Sequence, residues 1–148
     1  MAKLSPHLSV GEVIRGSGYN AWDEVPPDLQ ANLERVAQFM FEPVRINLGK
    51  PISILSGGGV RSEEMNERVG GATNSQHKRG LALDMRCRTP ADIVHLFDLC
   101  EELQRSGAIP NGGLSLYLRK DGSPRFVHCD IRGRRARWGA KNRSKVVV

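Results

Sequence analysis

A chain of 148 residues, 39% hydrophobic and 26% charged, carries enough apolar material for one ordinary core and suits a single domain over residues 1–148. No window approaches the roughly eighteen apolar residues of a membrane span. The first residues, with Lys3, Pro6 and His7, hold no apolar run of signal-peptide length, so synthesis in the cytoplasm without the usual secretory route is expected. Three widely spaced cysteines, Cys87, Cys100 and Cys129, suggest neither a disulfide framework nor a metal knuckle, which leaves buried reduced thiols.

From Pro26 the apolar residues Leu29, Leu33, Val36 and Met40 recur at helical spacing, and the two prolines can begin that helix. Pro43 should kink or restart it, and Gly49 with Pro51 should end it before a short strand over Ile52 to Leu55. After the glycines Gly57 to Gly59, Ser62 can cap a short helix whose first turn holds Glu63 and Glu64, stopping near Gly70 and Gly71. Leu81 to Arg86 reads as a buried strand. Thr89 and Pro90 then supply the cap and first turn of a helix striped by Ile93, Leu96, Phe97, Cys100 and Leu103.

Beyond Gly107, Leu114 to Leu118 and Arg125 to Ile131 flank Lys120-Asp121-Gly122-Ser123, where Asp-Gly is a hairpin signal. The formal charge of +6 gathers in the segment 132–148, through Arg132, Arg134, Arg135, Arg137, Lys141, Arg143 and Lys145. Such a patch attracts nucleic acid, phosphate-rich polymers or acidic lipid heads without discrimination, or is simply solvated. The last ten residues are expected to be loose. The architecture is α+β, helices packed on a small antiparallel sheet.

Two imidazoles and a carboxylate, His77, Asp84 and His128, lie in or beside predicted strands. Asp84 falls near the middle of a buried strand, where an unpaired carboxylate costs several kcal/mol, so something positive should face it. Alternation along the last strand puts His128 and Asp130 on one face and Val127 and Cys129 on the other. These residue types suit a three-ligand zinc site whose fourth position is left for a water acidified to about pKa 7, a hydrolase arrangement. Spacing alone leaves a structural alternative open, with Asp84 paired to Arg86 or another arginine and His128 a satisfied core histidine. His95, in a helix stripe, and His7, in a flexible N-terminal segment, have no ligand partners at suitable spacing. The glycine loop lacks the Lys-Ser or Lys-Thr of a phosphate loop.

The run Ser75-Gln76-His77-Lys78-Arg79-Gly80-Leu81-Ala82-Leu83-Asp84 resembles the SxHxxGxAxD motif of the zinc D-alanyl-D-alanine carboxypeptidases, a family that includes phage endolysins cleaving wall peptides. Phe126-Val127-His128-Cys129-Asp130-Ile131-Arg132 followed by Trp138 is similar to its FVHxDxR...W ending. Ser56 to Ser62 resembles its SGYRS segment, with Gly-Gly-Val in place of the tyrosine and Arg61 at the arginine. Ser5 to Ile14 and Glu42-Pro43-Val44-Arg45 are also similar, so the likeness covers nearly the whole chain.

The resemblance implies a hedgehog/DD-peptidase-like fold, zinc held by His77, Asp84 and His128, and a peptidoglycan peptidase acting as a carboxypeptidase or an endolysin-type endopeptidase. It implies that Arg61 polarises the scissile carbonyl and that Ser75 sits near the substrate, although capping of local backbone explains Ser75 equally well. Trp138 covers the site or anchors the C-terminal segment. Where relatives place an acid or a histidine two or three positions before the last ligand, this chain has Phe126 and Arg125. Asp130 is then the first candidate for general base. If Asp130 instead pairs with Arg132 or Arg137, the base falls to Glu63, Glu64 or Glu67. The expected partners are wall stem or cross-link peptides and, through the basic segment, anionic wall polymers, with the protein a monomer. The rivals are a zinc-holding binding module without catalysis and, least favoured, a nucleic-acid-binding protein.

Overall fold

The computed structural model describes residues 2–138 and 145–147. Strands β1 (Lys3–Ser5) and β2 (Leu8–Ser9) pair as a small antiparallel sheet, and Ser9 closes a capping box with Glu12 at the start of α1 (Val10–Ile14). The segment around His7, expected to be flexible, is instead tied down. The carboxylate of Glu42 accepts hydrogen bonds from Ser5 Oγ at 2.6 Å and from the His7 backbone N–H at 2.7 Å, and it meets His7 Nδ1 at 2.8 Å.

Glu42 stands at a register shift in the first long helix. Helix α2 (Pro27–Val36) buries Leu33 and Val36, and a single π turn over Ala37–Phe41 leads into α3 (Glu42–Leu48). Pro43 has no N–H to donate, and the ladder loosens just ahead of it: the Glu42 N–H reaches the Ala37 carbonyl, five residues back. The helix thus restarts with Pro43 in its first turn. Gly49, at φ 70°, ends it by donating to the Arg45 carbonyl.

The sheet follows. Strand β3 (Ser53–Ile54) precedes the glycine loop. Ser62 caps α4 (Glu63–Arg68) by accepting from the Met65 N–H, and a 3-10 turn over Gln76–Arg79 leads into β4 (Ala82–Arg86). Thr89 caps α5 (Pro90–Ser106), after which β5 (Gly113–Leu118) and β6 (Pro124–Asp130) form the hairpin. The strand order is β3-β4-β6-β5, antiparallel throughout, and β7 (Ala136–Arg137) and β8 (Lys145–Val147) both run parallel to β5. The last ten residues were expected to be loose, but residues 145–147 of them pair in the sheet, because β5 offers a free edge past β7. Residues 139–144 and 148, Lys141 and Arg143 among them, lie outside the described residues.

Register decides what each sheet face does. Leu83 pairs with Cys129 and Cys129 with Leu114, while Met85 pairs with Val127 and Val127 with Leu116. These six side chains are at most 2% exposed and join one apolar cluster with Ile93, Leu96, Cys100 and Leu103 of α5. All three cysteines are buried and free. Asp84 pairs with His128, and His128 with Ser115, so the opposite face carries the polar set.

Burial raises the pKa of Glu42, but hydrogen bonds from Ser5 and His7 and the His7 charge outweigh it and hold the carboxyl below its ordinary 4.5. The folded state therefore binds fewer protons than the unfolded one. Its contribution is present at neutral pH and is lost as pH falls through the folded value. Glu42→Gln should lower the unfolding free energy by about 1–3 kcal/mol at neutral pH, with the gap from wild type narrowing below pH about 4 in urea melts. A gap of constant size across that range would remove the hydrogen-bonded carboxylate as its cause.

Candidate metal centre

Asp84 at the middle of β4 faces His128 of β6, and the 3-10 turn just before β4 swings His77 in beside them. His77, Asp84 and His128 are 3%, 5% and 6% exposed, so water contributes little to their solvation. Their hydrogen-bond partners set the tautomers. The Gly59 carbonyl can only accept, so His77 Nδ1, at 2.8 Å, carries a proton for it. The Asp130 carboxylate likewise accepts from His128 Nε2 at 2.8 Å.

The remaining ring nitrogens, His77 Nε2 and His128 Nδ1, each lie 3.1 Å from Asp84 Oδ1. With neutral imidazoles, three lone-pair donors converge with no hydrogen between them, and one ligand atom from each residue lies within 4.8 Å of the others. Such an arrangement is repulsive unless a cation or extra protons occupy its centre. The 3.1 Å separations approach the roughly 3.3 Å edge of a tetrahedron with bonds of about 2.0 Å, and two imidazoles with a carboxylate are a zinc donor set.

The surroundings favour positive charge. Burial raises the Asp84 pKa, yet His77 and His128 overcome it and hold the carboxyl far below its usual range. Burial lowers the pKa of His128, but its hydrogen bonds to Asp130 and Asp84 pull it up past its ordinary value. Together the two directions favour an ionised Asp84 beside a cationic His128, positive charge that a metal ion would supply in place of the proton.

Asp130, the first candidate for general base, is 0% exposed and stands behind His128. It accepts from the Gly113 N–H at 2.8 Å, the Arg132 N–H at 3.1 Å and Arg132 Nη2 at 2.7 Å, besides His128. Its lone pairs are committed, and it points at the far nitrogen of the imidazole, which suits orienting that ring. The pairing with Arg132 shifts the search for a base to α4, where the carboxylates also fail to reach the site. Glu63 pairs with Lys78 at 2.8 Å, Glu64 pairs with Arg68 at 2.9 Å, and Glu67 is exposed. None of the three lines the cleft.

That cleft, about 880 Å³, is lined by the metal group and by Arg61, Ser75, Tyr117, Phe126 and Trp138 among others. Arg61 donates through Nε to the Gly57 carbonyl at 2.7 Å, through Nη1 to Asn66 Oδ1 at 3.2 Å and through Nη2 to Asp84 Oδ2 at 3.4 Å. Ser75 Oγ accepts from the His77 N–H at 3.2 Å, so it caps the turn that carries a ligand and still faces the cleft. The Trp138 ring meets His128 edge-on at 5.0 Å, and its Nε1–H donates to Tyr117 Oη at 3.0 Å.

Tyr117, Asn66 and the Gly59 carbonyl carry no motif that marks them in the sequence. Only Tyr117 left a signal, since alternation from the Asp-Gly hairpin puts it and Ser115 on the face of His128. His7 and His95 do not join the metal group: His7 holds Glu42, and His95 is exposed on α5. Within the basic segment, Arg132 is spent on Asp130, and Arg135 and Arg137 on Glu101.

A buried His-Asp-His donor group on the polar face of a sheet, at the floor of an open cleft, defines a mononuclear metal centre of hydrolytic type. The sequence profile of the family described as Peptidase M15 matches residues 7–130, which include all three donors, and the chain belongs to that family of zinc-dependent peptidases. No curated protein matches the sequence significantly.

Purified protein should bind about one zinc per chain, and His77→Ala, Asp84→Ala and His128→Ala should each lose it. Asp130→Asn should keep the fold and weaken zinc binding about 10- to 100-fold in chelator competition. Unchanged affinity in that variant would show that the Asp130–His128 contact does not orient the ligand.

Proposed function

We propose that this zinc peptidase hydrolyses an amide bond in the peptide part of the bacterial cell wall, either trimming a terminal residue as a D-Ala-D-Ala carboxypeptidase or cutting within the wall peptide as an endolysin does. The observation that carries the reading is the acceptor group itself, buried in its supports yet opening on a cleft with room for a peptide segment. The run from Ser75 to Asp84, which supplies two of its three donors, supports the wall peptide as substrate through the resemblance it bears.

When bound, zinc supplies a Lewis acid for the scissile carbonyl and acidifies water toward a pKa of about 7. The protein supplies the rest. Asp130 holds the His128 proton on Nε2, keeping the Nδ1 lone pair free for the metal. Gly59 does the same for His77 through a backbone carbonyl. Arg61, fastened at Gly57 and Asn66, keeps a guanidinium beside the centre where negative charge develops on the carbonyl oxygen. Tyr117 accepts from Trp138, which leaves its own hydroxyl proton to donate into the cleft. Ser75 and Trp138 form the substrate-facing walls.

One observation favours a second reading, a zinc-holding binding module without turnover. Among the described residues lining the cleft, Asp84 is the sole carboxylate, so no second acid stands ready to accept a proton.

Peptidoglycan incubated with the zinc-loaded protein should yield new amino termini by mass spectrometry, and His128→Ala should yield none. Arg61→Gln should retain zinc and lower kcat about 10²- to 10³-fold, with KM less affected. Zinc retained by the wild type with no new termini from any wall preparation would decide for the binding module.

A further inference from the structure

We infer that Arg79 and Arg134 form an anion subsite on the cleft that reads a free carboxylate of the substrate peptide. This rests on the proposed wall-peptide reading and names the chemistry of the residue beside the scissile bond. Four guanidinium groups line the cleft, those of Arg61, Arg79, Arg132 and Arg134, against the one carboxylate of Asp84. Two of the four are already matched: Arg61 faces Asp84 Oδ2, and Arg132 grips Asp130. The neighbouring cations have carboxylate partners as well, Lys78 in Glu63 and Arg68 in Glu64, while Arg135 and Arg137 share Glu101.

Arg79 and Arg134 are exposed and have no carboxylate partner among the described residues. They leave the cleft with more positive charge than its one carboxylate, Asp84, can offset, and that excess will draw in an anion. They also arrive from two different directions. Arg79 closes the turn that carries His77, and Arg134 lies just beyond the strand that carries His128. A peptide brought to the metal group lies in a cleft that both residues line. Each presents a planar fork suited to carboxylate oxygens. A nucleic acid fits less well, because Arg132, Arg135 and Arg137, which would extend the row along a phosphate backbone, are held by Asp130 and Glu101.

The test compares a stem peptide bearing free carboxylates with the same peptide fully amidated, on zinc-loaded wild type, Arg79→Gln/Arg134→Gln, and Arg119→Gln as a charge control outside the cleft. Calorimetry gives the ratio of dissociation constants, and new amino termini give the ratio of kcat/KM where turnover occurs. Wild type should prefer the carboxylate form about tenfold or more at low salt, with the preference falling as salt rises. The ratio should fall toward one in the double variant and persist in Arg119→Gln. Equal treatment of the two peptides by wild type, a preference surviving in the double variant, or displacement of the peptide by a short DNA duplex at equal concentration would each overturn the subsite. Preferential binding of the carboxylate form without cleavage would leave the subsite standing and remove the peptidase reading instead.

Discussion

Three lone-pair donors, with Asp84 Oδ1 lying 3.1 Å from both His77 Nε2 and His128 Nδ1 in a place that water barely reaches, are unstable without positive charge at their centre. Much of the structure around them makes that arrangement rigid and keeps it from relaxing. The antiparallel pairing of β4 with β6 sets Asp84 directly opposite His128, and a slip of one residue would exchange them for Leu83 and Cys129 and send the pair into the apolar cluster. The hydrophobic packing of α5 against the other face therefore also fixes the metal group, since the same register satisfies both.

Close backbone approach contributes as much as side-chain chemistry. A Cβ on Gly59 would lie 2.3 Å from the Val13 carbonyl oxygen, and one on Gly58 would lie 3.0 Å from the Asp84 Cβ. The loop can press against α1 and β4 only because both positions are glycine, and that contact aims the Gly59 carbonyl at His77 Nδ1. A main-chain atom thus serves as the orienting partner of a ligand. On the other side, the buried Asp130–Arg132 pair performs the same task for His128 with side chains, and Arg132 answers the charge that Asp130 brings into the interior.

The basic C-terminal segment changes meaning once it is folded. As a string of residues it reads as one anion-seeking patch. In the structure Glu101 and Asp130 divide it, matching Arg132, Arg135 and Arg137 internally and leaving Arg134 turned to the cleft. Surface charge counted along a chain says little about partners until its internal ion pairs are known.

Local rules made most of the elements legible in the sequence: the helix caps at Ser62 and Thr89, the stops at Gly49 and Gly107, the Asp-Gly hairpin, and the alternation that put His128 with Asp130. These depend on residues within a few positions of one another, and so did the motif that singled out His77 and Asp84. The parts it left open depend on contacts across long separations. Asp130 looked like a base because it shares a face with His128, and only the fold shows Arg132 and Gly113 consuming its lone pairs. The tether from Glu42 to Ser5 and His7, the Gly59 carbonyl behind His77, and the bond from Trp138 to Tyr117 have no local period to announce them. The sequence by itself determined which residue types are available to bind a metal and which strands carry them. Tertiary structure alone decided which atoms face the centre and which stand behind it, because hydrogen bonds between distant segments choose the tautomer and direction of each ring.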